Sequence, residues 1–186
     1  MCGWRRMSRM ADVVGVVIDV QERLQAVMPE RAELERQLEV LGRGLELLSI
    51  PVVLTEQLPE KLGSTVEGVR SAVGEVPCFE KSTFSCWGAP AFREWVDASG
   101  ATRVILAGIE RHICVYQTAM DLLAAGMDVV VAADATASRV VERGEWALAM
   151  LRARGAVVLP VESILLELLG DAGDARFRLL LPYLRG

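Results

Sequence analysis

Asparagine is absent from this sequence, histidine occurs once, at position 112, and lysine only twice, at 61 and 81. Each scarcity excludes something. Without Asn there is no acceptor for N-linked glycosylation, and one His cannot build the usual zinc site. The four cysteines, at 2, 78, 86 and 114, form no CxxC pair. Neither a metal nor a disulfide framework is therefore expected, and a reducing cytoplasm is the expected compartment. Neither GxGxxG nor GxxxxGKS/T occurs, and "GRGLELL" at 42–48 carries its two glycines inside a helical pattern. No nucleotide cofactor is expected. No apolar run approaches the roughly 18 residues of a membrane span, because Gly, Asp or Arg interrupts each one.

What is present is apolar and mildly acidic. Hydrophobic residues make up 52% of the 186, and the net charge is -5. Mean hydropathy is +0.33 and the sequence pI about 5.1. Arg and Glu are interleaved along the chain, so no basic patch offers itself to a nucleic acid. The apolar content belongs to a core and to a subunit interface, which points to a homo-oligomer. The length suits a single domain over 12–186. The opening "MCGWRRMSRMA" reads as a disordered tail over 1–11 rather than a transit peptide.

Nearly continuous β-branched runs recur at "VVGVVIDV" (13–20), "IPVVLTE" (50–56), "RVILAGI" (103–109), "MDVVVAAD" (127–134) and "AVVLPVE" (156–162), with a weaker one at "VPCFE" (76–80). Such runs are strands covered on both faces. Between them lie helical periodicities. Leu34, Leu38, Leu41, Leu45 and Leu48 share one helical face, a second apolar helix follows Cys114, a third spans 140–154, and "SILLELLG" forms a short last one. Alternation of strand and helix predicts an α/β fold, a doubly wound six-stranded parallel sheet of order 3-2-1-4-5-6 with helices on both faces. In such sheets the functional crevice lies beyond the carboxyl ends of strands 1 and 4.

Three residues stand out against that frame. Asp19 closes the first strand, where a carboxylate is either hydrogen-bonded for structure or held for function. Lys81, in "CFEKSTFSCWG", is a compact ammonium in a chain whose other cations are almost all Arg, and it is either a solvated surface charge or a donor fitted to a tight site. Cys114 falls where a buried strand gives way to a helix. It is either a small core side chain or a thiol whose pKa the helix N-terminus lowers toward neutrality. Cys78 and Cys86 read as core or loop residues, Asp134 as a turn stabiliser. His112, two residues from Cys114, diverges from it on a helical start, which leaves Asp19 as the better base.

The motifs "IDVQ" (18–21), "IPVVLTEQ" (50–57), "EKSTFS" (80–85), "LAGIERHICVYQTAMDLL" (106–123) and "VAADATASR" (131–139) together resemble the isochorismatase-like hydrolases, the cysteine hydrolase superfamily that includes the nicotinamidases. The resemblance covers residues 12–170 and is greatest to the isochorismatase-domain-containing branch. It implies a catalytic triad of Asp19, Lys81 and Cys114. It also implies a non-proline cis peptide between Ile109 and Glu110, and an oxyanion hole made by the N–H groups of Glu110 and Cys114. Gln21, Leu24, Phe84, Trp87 and Ile113 become candidates for the substrate-binding wall. Two departures narrow the chemistry. Nicotinamidases carry an Asp and His metal set after the second strand, where this chain has "TEQLPEKLG"; true isochorismatases lack the cysteine. The expectation is a cysteine-dependent hydrolase of a small amide, imide or ester, with a catalytically retired scaffold protein of the same fold as the alternative.

Overall fold

The computed structural model describes residues 12–185. The expected tail over 1–11, with Cys2, lies outside the described residues. Six strands form one sheet: β1 (Val13–Ile18), β2 (Val52–Gln57), β3 (Cys78–Lys81), β4 (Arg103–Ile109), β5 (Asp128–Ala137) and β6 (Val157–Leu159). Their order is β3-β2-β1-β4-β5-β6, and every adjacent pair is parallel. The helices are α1 (Glu22–Gln25), α2 (Arg31–Leu47), α3 (Pro59–Leu62), α4 (Glu67–Val73), α5 (Pro90–Ser99), α6 (Tyr116–Ala124), α7 (Val141–Ala153), α8 (Val161–Leu169) and α9 (Ala175–Leu184).

The strand runs give strands because Val and Ile fit a pleated surface buried on both sides. Every residue of β1, β2 and β4 is buried, whereas the edge strands β3 and β6 are mostly half-buried. Alternation along β1 divides the core. Val13 and Val17 join the leucines of α2 with α4, α8 and α9 on one face. Val14, Val16 and Ile18 join Phe92 of α5 with α6 and α7 on the other. Leu34, Leu38, Leu41, Leu45 and Leu48 are each at most 2% exposed, and burial of each such side chain contributes about 1.5–3 kcal/mol.

Boundaries differ from the sequence pattern where local stereochemistry intervenes. Strand β1 stops at Ile18 because Asp19 takes a left-handed conformation, φ 53°. Strand β6 ends at Leu159 because Pro160 is the N-cap of α8. Strand β5 runs on to Ala137 through a register shift against β4 between Leu106 and Gly108. Helices α5 and α9, which the periodicity did not single out, complete the layers; α5 starts with Pro at its first turn and buries Phe92 and Val96 four residues apart.

One glycine bears directly on the site. Gly108 has φ +107°, and a Cβ there would sit 2.1 Å from the carbonyl oxygen of Ile18. Only a residue without a side chain lets the carboxyl ends of β1 and β4 come this close, and those ends carry Asp19 and the Cys114 turn.

Candidate active site

Asp19, Lys81 and Cys114 each follow or close a strand at the carboxyl edge of the sheet, and the strand order β3-β2-β1-β4 brings them together. Asp19 is fully buried. Its left-handed backbone is pinned by its own N–H donating to Thr55 O at 3.0 Å and by its carbonyl accepting from Gln21 N–H at 2.7 Å. The carboxylate then has two fixed partners. Oδ1 accepts from Thr55 Oγ1 at 2.8 Å, and Oδ2 accepts from Lys81 Nζ at 2.6 Å. A buried carboxylate paired and hydrogen-bonded in this way is satisfied rather than orphaned.

Lys81 reaches across β2 to make that contact. Its Nζ also donates to Gln57 Oε1 at 2.7 Å and to the carbonyls of Thr83 and Phe84, both at 3.1 Å. Four acceptors surround three protons, an environment for an ammonium and not for a neutral amine. Burial pulls the Lys81 pKa down, but the charge of Asp19, together with the Cys86 and Cys114 thiols, outweighs it and holds the group above its ordinary value. The surface reading of this lysine is thereby replaced: its side chain is 1% exposed.

Cys114 sits in a π-helical turn, Arg111–Val115, that precedes α6. The Glu110 carbonyl accepts from Ile113 N–H at 2.9 Å and from Val115 N–H at 3.3 Å, which winds the turn wide. The peptide bond between Ile109 and Glu110 is cis. Arg111 anchors the turn from beneath, donating to Thr136 Oγ1 at 2.9 Å, to Ala133 O at 2.9 Å and to Glu145 Oε1 at 2.7 Å. The thiol is 6% exposed. Burial pushes its pKa well up and the Asp19 charge adds to the rise, while Lys81 opposes it. The expected lowering toward neutrality is therefore corrected. Loss of water and an adjacent anion outweigh the helix terminus and the lysine, and the resting thiol keeps its proton.

The other two described cysteines are core or edge groups. Cys86 is fully buried, with Sγ 3.6 Å from Thr55 Oγ1, and burial pushes its thiol up to about 11. Cys78 is half-buried on β3, its thiol also pushed up to about 11 by burial. His112 turns to Ser138, Nδ1 to Oγ at 2.8 Å. Asp134 Oδ1 accepts the Val161 N–H at 2.8 Å and so caps α8, in line with its structural reading.

The five wall candidates separate. Leu24 and Ile113, both half-buried, flank the carboxyl edge from opposite core faces. Phe84 is 56% exposed while its carbonyl is tied to Lys81. Gln21 is corrected: it is fully buried, and its carboxamide is committed to Gln57 O and N–H and to Gly63 O, so it braces strand β2 and cannot form a wall. Trp87 is also corrected. Its ring lies under the Arg93 guanidinium, 5.2 Å from the centroid, and it lines a depression with Gly88, Pro90, Arg93, Glu94 and Asp97 that includes none of the three clustered residues.

Sequence reasoning missed Thr55 and Gln57. Their signal was legible: three polar residues, Thr55, Glu56 and Gln57, end a buried strand, "VVLTEQ", and period 2 sends Thr55 and Gln57 to one face. Among the described residues no group of three or more His, Cys, Asp or Glu gathers to hold a metal ion, and no helix is long and apolar enough to cross a membrane.

Comparison with known proteins supplies a wider context. The Isochorismatase domain family matches residues 13–163. Isochorismatase domain-containing protein 1 of Salmo salar is 35% identical over 168 residues, covering 90% of this chain but 59% of that protein, so the chain spans about three fifths of the length of this relative. Among solved structures, one described as the MAR1 ribonuclease of Caenorhabditis elegans superposes with a TM-score of 0.90 at 30% identity, over 96% of this chain and 92% of the other. The YcaC gene product of Escherichia coli, described as an octameric hydrolase of unknown specificity, shares the fold with a TM-score of 0.91 at 21% identity, over 98% of this chain and 92% of the other.

Proposed function

The chain belongs to the isochorismatase family, and on that premise we propose that it is a cysteine-dependent hydrolase of a small amide, imide or ester. Cys114 is the nucleophile, Asp19 the general base and acid, and Lys81 the fixed cation. The observation that carries this reading is the buried 2.6 Å pair of Lys81 and Asp19, whose opposite charges both act on the Cys114 thiol.

The charge balance of that cluster explains how a thiol with a raised pKa reacts. One cation, Lys81, supports one anion. In the resting state Asp19 holds the negative charge. As Sγ approaches a carbonyl carbon, the thiol proton passes to Asp19 and the charge moves to sulfur, so no new charge is created in a dry site. Attack forms the C–S bond, and the carbonyl oxygen takes the electron pair between the N–H groups of Glu110 and Cys114. Removal of one such donor costs about 10²–10³-fold in related acyl-transfer sites. Collapse breaks the bond to the amine or alcohol, which leaves with the proton from Asp19. Water then attacks the thioester while Asp19 takes its proton, and the thiol is restored by the reverse transfer.

Leu24, Phe84 and Ile113 supply an apolar wall, which favours an uncharged or planar acyl group. The name of the Caenorhabditis elegans relative makes RNA the rival substrate; a net charge of -5 opposes a polyanion. The unpaired thiols of Cys78, Cys86 and Cys114 favour a reducing, cytoplasmic setting. The test is a screen of small amides, ureas, imides and esters for ammonia or acid release, with RNA included and Cys114→Ala as control. Turnover lost in Cys114→Ala supports the proposal, and RNA cleavage that survives Cys114→Ala would overturn it.

A further inference from the structure

Gln57 occupies a position whose two ends demand opposite polarity. Its Nε2 donates to the Ser82 carbonyl at 2.7 Å, which leaves Oε1 as the atom facing Lys81 Nζ, also at 2.7 Å. Its own N–H is held by Gln21 Oε1 at 2.7 Å. The side chain therefore cannot rotate to offer its NH2 to the lysine without leaving Ser82 O unmatched and setting donor against donor. Two residues earlier on the same strand face, Thr55 orders the other end of the ion pair through Asp19 Oδ1.

From this we infer that Gln57 is a positioning residue that keeps Lys81 charged and aimed at Asp19, so that the cation stays in place while the negative charge passes between Asp19 and Cys114. The inference deepens the proposed reaction and rests on it. A neutral acceptor suits the role for a physical reason. A second carboxylate beside Lys81 would compete with Asp19 for the one ammonium and oppose formation of the thiolate. An apolar side chain would remove the shortest neutral contact, 2.7 Å against 3.1 Å for the Thr83 and Phe84 carbonyls, and leave only those two longer bonds to hold the ammonium beside Asp19. The titratable groups facing the Lys81–Gln57 pair are Asp19 from the end of β1, Cys86 from the segment after β3 and Cys114 from the turn after β4. On the outer side Glu60 and Glu80 line a shallow depression with Lys81. Glu56, the chain neighbour of Gln57, is engaged elsewhere, with Thr65 and Arg70.

A protonated carboxyl has one donor and one acceptor, like a carboxamide, whereas an ionised one has acceptors only. Gln57→Glu therefore carries its own switch. The rate of iodoacetamide alkylation at Cys114, read by peptide mass spectrometry from pH 5 to 9, is compared with wild type as a ratio. For Gln57→Glu the ratio is expected to fall by about tenfold as the new carboxyl ionises, as a shift of about one unit in the thiol pKa would produce. For Gln57→Met it is expected to be lowered but independent of pH. A ratio for Gln57→Glu that stays flat would overturn the inference, because loss of packing alone has no titration. Wild-type Cys114 reacting no faster than Cys78 would instead count against the proposed reaction. In that event the inference is still read at the lysine. With only Lys61 and Lys81 in the chain, 15N-lysine labelling gives two ammonium signals. Faster proton exchange of the Lys81 signal in Gln57→Met supports the positioning role, and an unchanged signal refutes it.

Discussion

Lys81 Nζ lies 2.6 Å from Asp19 Oδ2 across 62 residues of sequence, with both side chains shut away from solvent. Two charges in such a place are stable only as a pair, and Thr55, Gln57 and two backbone carbonyls satisfy what the pair leaves over. The pair is therefore a fixed dipole at the carboxyl edge of the sheet, and both of its charges act on the Cys114 thiol.

Substitution of Asp19 by Asn separates the two effects of the carboxylate on the thiol. Asp19 raises the Cys114 pKa by its charge, while Lys81 lowers it. With the anion gone, the thiolate becomes the partner of Lys81. The pH midpoint of Cys114 alkylation is expected to move down, by about one unit or more for a charge this close. Turnover is expected to fall by at least about 10²-fold because no base remains. An upward shift of the midpoint, measured by alkylation over pH, would remove Asp19 from the thiol's surroundings.

Loss of the cation acts on stability first. Lys81→Met leaves the Asp19 carboxylate buried without its partner, which is expected to cost about 3–5 kcal/mol, measured by urea denaturation at neutral pH. The double variant Asp19→Asn, Lys81→Met has no uncompensated charge and should recover most of that loss. If the two single effects add in the double variant, the residues do not interact.

The alternation of buried strands and helices was legible in the apolar periodicity that "VVGVVIDV" and the leucines of α2 display, and the strand order is the commonest one for six such strands. The grouping of Asp19, Lys81 and Cys114 was implied by the family resemblance, and the topology adds that each ends or follows a strand at the same edge of the sheet. The protonation state of Cys114 was not legible. It depends on how deeply the turn is buried and on which neighbour the S–H meets, and neither is a property of spacing. Gln21 misled for a related reason: a polar residue after Asp19 resembles a wall, yet its amide is consumed by the backbone of Gln57 and Gly63. Helix α9 escaped because Pro182 sits inside it, where a sequence reading stops a helix.

Helix α7 presents an apolar face that the described residues leave uncovered. Trp146 is 72% exposed and Met150 44%, and at i, i+4 they share one side. The homo-oligomer expected from the high hydropathy is predicted to form through this face. Trp146→Asp with Met150→Asp should lower the mass seen in sedimentation velocity while near-ultraviolet circular dichroism shows the core intact. An unchanged mass would move the contact elsewhere.

Gly108 tests whether the site depends on the approach of two strands rather than on the triad residues alone. A Cβ at this position meets Ile18 O at 2.1 Å, Ile18 N at 2.5 Å and Ile18 C at 2.8 Å, all backbone atoms, so no side chain can yield to make room. The positive φ adds strain for any residue but glycine. Gly108→Ala is expected to lose at least about 2 kcal/mol of stability in urea denaturation. Ile18 precedes Asp19, so the displacement passes straight to the carboxylate. The surviving folded fraction should lose hydrolytic rate by at least about tenfold, since a shift on the order of 1 Å at a reacting group has that effect or more. The same addition at Gly126, which also has positive φ but nothing within 4 Å of its Cβ, carries the backbone strain without the collision. A Gly126→Ala variant that loses as much rate as Gly108→Ala would show that global destabilisation, and not the β1–β4 contact, governs the site.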